Sequence, residues 1–154
     1  MSSGVMIILS PDLTRAWIRA GKLKPITFPL TSKFPGRTIG ITLGFPNKLN
    51  RSTDTYHRKA KGIIQIFLCS IYRPHQIDKQ KEFFDELGQF ITNRPKNLEI
   101  LMGADINCNV GVTSKKFSDT LGPHGIDNRN IKGRELLYSC KNNNLNIISS
   151  YFKH

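Results

Sequence analysis

Gly62-Ile63-Ile64-Gln65-Ile66-Phe67-Leu68-Cys69-Ser70-Ile71-Tyr72 is the stretch on which the fold turns. β-Branched and aromatic side chains dominate it, and that density favours a central, buried strand. Upstream, residues 37–45 alternate, with Ile39, Ile41 and Leu43 on one face, and read as a second strand. Between the two lies a polar segment with Asn47, Asn50, Ser52, Thr53 and Asp54. It also carries Lys48, Arg51, Arg58, Lys59 and Lys61, and is expected to be an exposed basic loop joining the strands as a hairpin.

Downstream, residues 78–93 place Phe83, Phe84, Leu87, Phe90 and Ile91 at three- and four-residue spacing, which predicts a helix with one apolar face. Arg94-Pro95 ends it, because the residue before proline avoids helical dihedrals. Residues 98–102 read as another buried strand. Residues 104–132, rich in Gly, Asn and Asp, read as loop, and 133–144 as a second helix burying Leu136, Leu137 and Cys140. Residues 145–152 are expected to form a further strand. At the other end, the apolar run Val5 to Leu9 suits a strand buried on both faces, stopped at Ser10-Pro11. Residues 12–20 fit a short helix or an irregular connection packing Trp17 and Ile18, and 21–36 a loop with a short strand around Ile26-Thr27-Phe28. This order of elements predicts one layered α/β domain over residues 1–154.

At 154 residues and 38% hydrophobic content the chain is long and apolar enough for its own core. No apolar run approaches the ~18 residues of a membrane span. The first nine residues lack the basic start and cleavage site of a signal peptide. Cys69, Cys108 and Cys140 form no CxxC pair, so structural zinc is not expected. Cys69 and Cys140 sit in apolar patterns and read as small buried residues. An odd cysteine count without a signal peptide fits a reducing compartment.

Net charge is +12 and the pI about 9.9. Residues 1–61 hold 11 Lys and Arg against two acids, Asp12 and Asp54; the remainder holds 12 against nine. The first segment therefore carries +9 of the +12. Such asymmetry favours a polyanionic partner such as nucleic acid, although a solvated basic surface has the same composition. No basic amphipathic helix points to an anionic membrane surface instead.

Two strand exits carry candidate chemistry. Asp105 and Asn107, two residues apart, project to the same side of an extended chain. The carboxylate can accept a proton from water or bind a hard cation, and the amide can fix that water. Tyr72, ending another strand, can donate its phenolic proton to an anionic oxygen. The same residues also suit plainer roles, Asp105 and Asn107 in a turn and Tyr72 as a packed aromatic.

The pattern of motifs resembles the endonuclease/exonuclease/phosphatase family. Gly4-Val5-Met6-Ile7-Ile8-Leu9-Ser10 looks like its early "GVAIL-S" strand, and Ile71-Tyr72-Arg73-Pro74 like its "YxP" motif. Gly103-Ala104-Asp105-Ile106-Asn107 looks like its "GDxN" motif with one extra small residue. The tail resembles the endonucleases of LINE-type retrotransposons. It matches through Gly122-Pro123-His124-Gly125, Asn130, Gly133-Arg134, Leu136-Leu137, Cys140, Asn143-Asn144-Leu145, Ile147 and Phe152-Lys153-His154. The motifs run in order over nearly the whole chain.

That resemblance implies a layered α/β sandwich of the DNase I-like type, incomplete at both termini, and a metal-dependent phosphodiesterase acting on DNA. It implies that Asp105 and Asn107 orient or activate the attacking water, and that Tyr72 holds the scissile phosphate. Magnesium would supply the Lewis acid, with Asp105 and Asn107 as partial ligands. Nucleic acid would be held by Arg51, Arg58, Lys59, Lys61, Arg73 and His124. Arg73 departs from the smaller residue usual after the tyrosine, and solvation alone would also account for it. The family's early Asn and metal-binding Glu, and its late Asp and Ser-Asp-His, have no counterpart in residues 1–154, so this stretch alone is expected to be inactive. A same-fold phosphodiesterase for RNA, abasic DNA or a phosphoinositide, and a non-catalytic nucleic-acid-binding remnant, remain as alternatives.

Overall fold

A computed structural model describes residues 4–29, 31–46, 63–73, 80–95, 98–126 and 128–153. The chain divides into two compact units. The first comprises Met1–Leu30, Pro35–Tyr72 and Arg94–Ala104; the second comprises Thr31–Phe34, Arg73–Asn93 and Asp105–His154. The described residues form an α/β fold with three α-helices and a four-stranded sheet. None of those helices is long and apolar enough to cross a membrane.

In the first unit the helix α1 (Pro11–Arg19) begins where its sequence provides every start signal. Ser10 caps it by accepting the Leu13 N–H, proline opens the first turn, and Asp12 and Arg19 complement the dipole at the two ends. Its buried Ala16 packs on Ile41 and Leu43, with Leu13, Trp17, Phe45, Ile66 and Leu68 around them. The strands β1 (Ile26–Thr27), β2 (Thr38–Pro46), β3 (Ile63–Tyr72) and β4 (Glu99–Asp105) lie in that order across the sheet. β2 and β3 form the expected antiparallel hairpin, in register from Thr38 opposite Ile71 to Pro46 opposite Ile63. Phe67, fully buried, lays its ring over Gly40, where a Cβ would stand 2.1 Å from the ring's Cζ. Glycine on one strand is thus the seat for the aromatic ring on the next.

Three expectations about strands fail. Residues 4–9 form no strand: Val5, Ile7 and Leu9 are half-buried, while Met6 and Ile8 are 71% and 83% exposed. The run is extended and lies one-sided against the α1–β2 core; its Val5 N–H donates to Gly36 O at 3.0 Å, and one such bond makes no ladder. β4 was expected to be buried, yet as the outer strand of the sheet it leaves Leu101 55% exposed. Residues 145–152 form a 3₁₀ turn, Ile148–Tyr151, after a single parallel bridge between Leu121 and Ile147. The Ser150 hydroxyl closes that turn by donating to Ile147 O and accepting from Gly122 N, a local alternative to a ladder that serine readily offers.

The second unit contains α2 (Gln80–Thr92) and α3 (Ile131–Asn142), which contact each other. α2 buries the five apolar residues expected from its periodicity. Phe34 meets Phe83 edge-on at 5.3 Å, and Lys33 reaches Glu82 at 2.7 Å. α3 is capped by Asn130, whose side chain accepts the Gly133 N–H at 2.8 Å. It buries Leu137 against Phe117 and Leu121.

Cys69 and Cys140 are buried and free, as their apolar settings imply, and burial pushes both thiols up to about 12. The folded protein should therefore leave both unmodified by a thiolate-specific disulfide reagent at pH 8, and release them only on unfolding. The sign for stability follows: above about pH 9 the unfolded chain gives up thiol protons that the folded chain retains, so stability falls as pH rises toward 12. A titration by absorbance under native and denaturing conditions reads both effects.

Candidate functional site

β4 carries its candidate residues to its end: Asp105 is the last residue of the strand and is exposed. Its Oδ1 accepts the Asn107 N–H at 3.2 Å, a side-chain turn that fits the plainer role for this pair. Asn107 holds a left-handed backbone, φ 51°, a conformation that asparagine tolerates better than most residues. Its amide does more than turn the chain. Nδ2 donates to Arg73 O at 2.9 Å, across 34 residues of sequence. The Arg73 N–H donates to Asp105 O at 2.8 Å. Both main-chain groups of the residue after Tyr72 are thereby held by the Asp105–Asn107 segment. Among the described residues, the Asn107 amide oxygen and the second Asp105 carboxylate oxygen accept no hydrogen bond.

Tyr72 belongs to the first unit, as the last residue of β3, and is half-buried. Its N–H donates to Arg37 O at 3.0 Å, and the Arg37 guanidinium sits 4.8 Å from the centre of its ring. One guanidinium nitrogen, Arg37 Nη1, is buried without a hydrogen-bond partner among the described residues. Sequence reading missed Arg37. The hairpin register was the signal that could have found it, since pairing Thr38 with Ile71 sets Arg37 against Tyr72.

The remaining expected contacts divide. Arg73 is only 1% exposed, so its side chain is not solvated. His124 is exposed, with its backbone N–H donating to Ser150 O at 2.9 Å. Arg51, Arg58, Lys59 and Lys61 lie outside the described residues. The glycines of the tail motifs are explained by close packing. A Cβ on Gly125 would stand 1.9 Å from Gly111 O, and one on Gly133 would stand 1.8 Å from Asn109 O.

Magnesium prefers six oxygen ligands in octahedral geometry. Asp105 and Asn107 offer one carboxylate and one amide oxygen. Among the described residues no three His, Cys, Asp or Glu side chains gather to hold a metal. The donor set does not fit a bound magnesium ion on its own, and the chemistry considered below uses the chain's own residues. Neither a protein-family model, nor a curated protein, nor a solved structure matches this chain.

Proposed function

We propose that this chain is a phosphodiesterase of the endonuclease/exonuclease/phosphatase type, DNase I-like in fold and descended from a retrotransposon endonuclease, with DNA as its substrate. The observation that carries the reading is the double clasp on Arg73, whose N–H and C=O are bound by Asp105 O and Asn107 Nδ2. It joins two of the motifs on which the resemblance rests. In this reading the free Asp105 oxygen accepts a proton from the attacking water, and the Asn107 amide oxygen orients that water. The Tyr72 phenol donates to a phosphoryl oxygen, with the Arg37 guanidinium over its ring favouring the charged group.

A second reading, non-catalytic DNA binding, is favoured by the single carboxylate at the site and its use in the Asn107 turn. One experiment separates the two. Residues 1–154 should bind duplex DNA with little sequence preference, and affinity should fall with salt by a log–log slope of ~0.9 per phosphate contacted. With magnesium present they should leave supercoiled plasmid intact. A longer chain supplying the family's Glu and Ser-Asp-His should nick it, and Asp105→Ala in that chain should abolish nicking. Binding that is indifferent to salt removes the DNA partner from both readings. Absence of nicking in the longer chain leaves the binding reading alone.

A further inference from the structure

Arg73 is the largest fully buried side chain among the described residues, 1% exposed, and two of its nitrogens, Nε and Nη1, have no hydrogen-bond partner among them. A guanidinium cannot shed its proton to escape that situation. A buried charge left unpaired is strongly unfavourable, so such a group calls for an anion. Its backbone cannot swing it away, because both main-chain groups are engaged by the Asp105–Asn107 segment.

Lys132 lies in the first turn of α3, which contains no acidic residue although that is where a helix dipole favours negative charge. The start of α3 adjoins Asn109, the neighbour of Cys108: Asn130 N donates to Asn109 O at 3.1 Å. Asn107 thus holds Arg73, while Asn109, two residues on, holds the start of α3. The buried, partnerless oxygen of Glu135 belongs elsewhere, in the α2–α3 cleft with Lys81 and Asp85.

We propose that Arg73 forms an enclosed receptor for a phosphoryl oxyanion that needs no metal. It rests on the phosphodiesterase reading only for the kind of anion, a phosphate ester or the phosphate released from one. Tetrahedral oxyanions carry acceptors in several directions, which suits two donors on different sides of one guanidinium.

Thermal unfolding followed by circular dichroism in EDTA tests this. Inorganic phosphate, at a hundredfold excess over its Kd, should raise the midpoint by about 5–10 °C. Arg73→Met should unfold no earlier than the wild type in phosphate-free buffer, since it removes an unpaired buried charge, and should lose the phosphate response. Arg73→Lys should keep a weakened response. If Arg73→Met does not fold, the wild-type Nε–H resonance of Arg73 serves instead, and should shift on phosphate titration. A thymidine dinucleotide in place of phosphate distinguishes the source. A response to it assigns the site to strand phosphates, and a response to phosphate and sulfate alone assigns it to a small free ion. A wild-type midpoint unchanged by phosphate, together with an Arg73 Nε–H resonance that does not move, would overturn the receptor. A retained response in Arg73→Met would do the same. Nicking by the longer chain is independent of these outcomes: a phosphate response without nicking removes only the catalytic reading, and nicking without a response removes only the receptor.

Discussion

Gly133→Ala is expected to destabilise the second unit by about 3 kcal/mol, at the severe end of what overpacking does. In an exposed helix the same change would stabilise by up to about 1 kcal/mol, because alanine is the better helix former. The clash decides the sign. The new Cβ would stand 1.8 Å from Asn109 O, 2.5 Å from its carbonyl carbon and 3.0 Å from Val110 Cα. All three are backbone atoms, so no side-chain rotation relieves the contact. α3 must retreat, and with it go the Asn130–Asn109 hydrogen bond and the packing of Leu137 on Phe117 and Leu121. Urea unfolding followed by circular dichroism reads the change. A variant more stable than the wild type would show that α3 does not lie against Asn109.

In the first unit the largest effect is expected from Phe67→Ala, about 3–5 kcal/mol. Its ring is fully buried and fills the space that Gly40 leaves open. The pair should be coupled. Gly40→Ala alone drives a Cβ to within 2.1 Å of the ring and is expected to be destabilising. Introduced into Phe67→Ala, the same substitution meets a void and adds back apolar contact, so it should restore part of the loss. A double-mutant cycle by denaturant unfolding measures the coupling, and additive losses would place the ring elsewhere.

What the sequence revealed was what neighbours in the chain decide. Ser10-Pro11 starts α1, the Phe83–Ile91 spacing makes α2, and the dense run from Ile63 to Tyr72 makes a strand, because each pattern acts within a few residues. Burial of a strand depends on what lies beside it, which residues 98–102 could not disclose, and β4 proved to be the outer strand. Residues 4–9 have strand composition, yet pairing is a property of the neighbour. In residues 145–152 the Ser150 hydroxyl closes a turn in place of a ladder, and its partner Gly122 N lies 28 residues away. At the site, the two-residue spacing of Asp105 and Asn107 was readable. The bond from Asn107 to Arg73 O was not, because it depends on sheet geometry 34 residues away. Arg73 was legible only as a charge, and its burial removes the solvated alternative.

The protein has one tryptophan, Trp17, on α1 in the first unit, its indole N–H donating to Leu23 O at 3.0 Å. Its emission is consequently a site-specific optical reporter of that unit. Phe67→Ala should move the fluorescence transition directly. Gly133→Ala and phosphate binding near Arg73 act in the second unit, and a melt followed by emission alone would register them only if the two units unfold together. Comparing fluorescence with circular dichroism on the same sample therefore measures the cooperativity between the units.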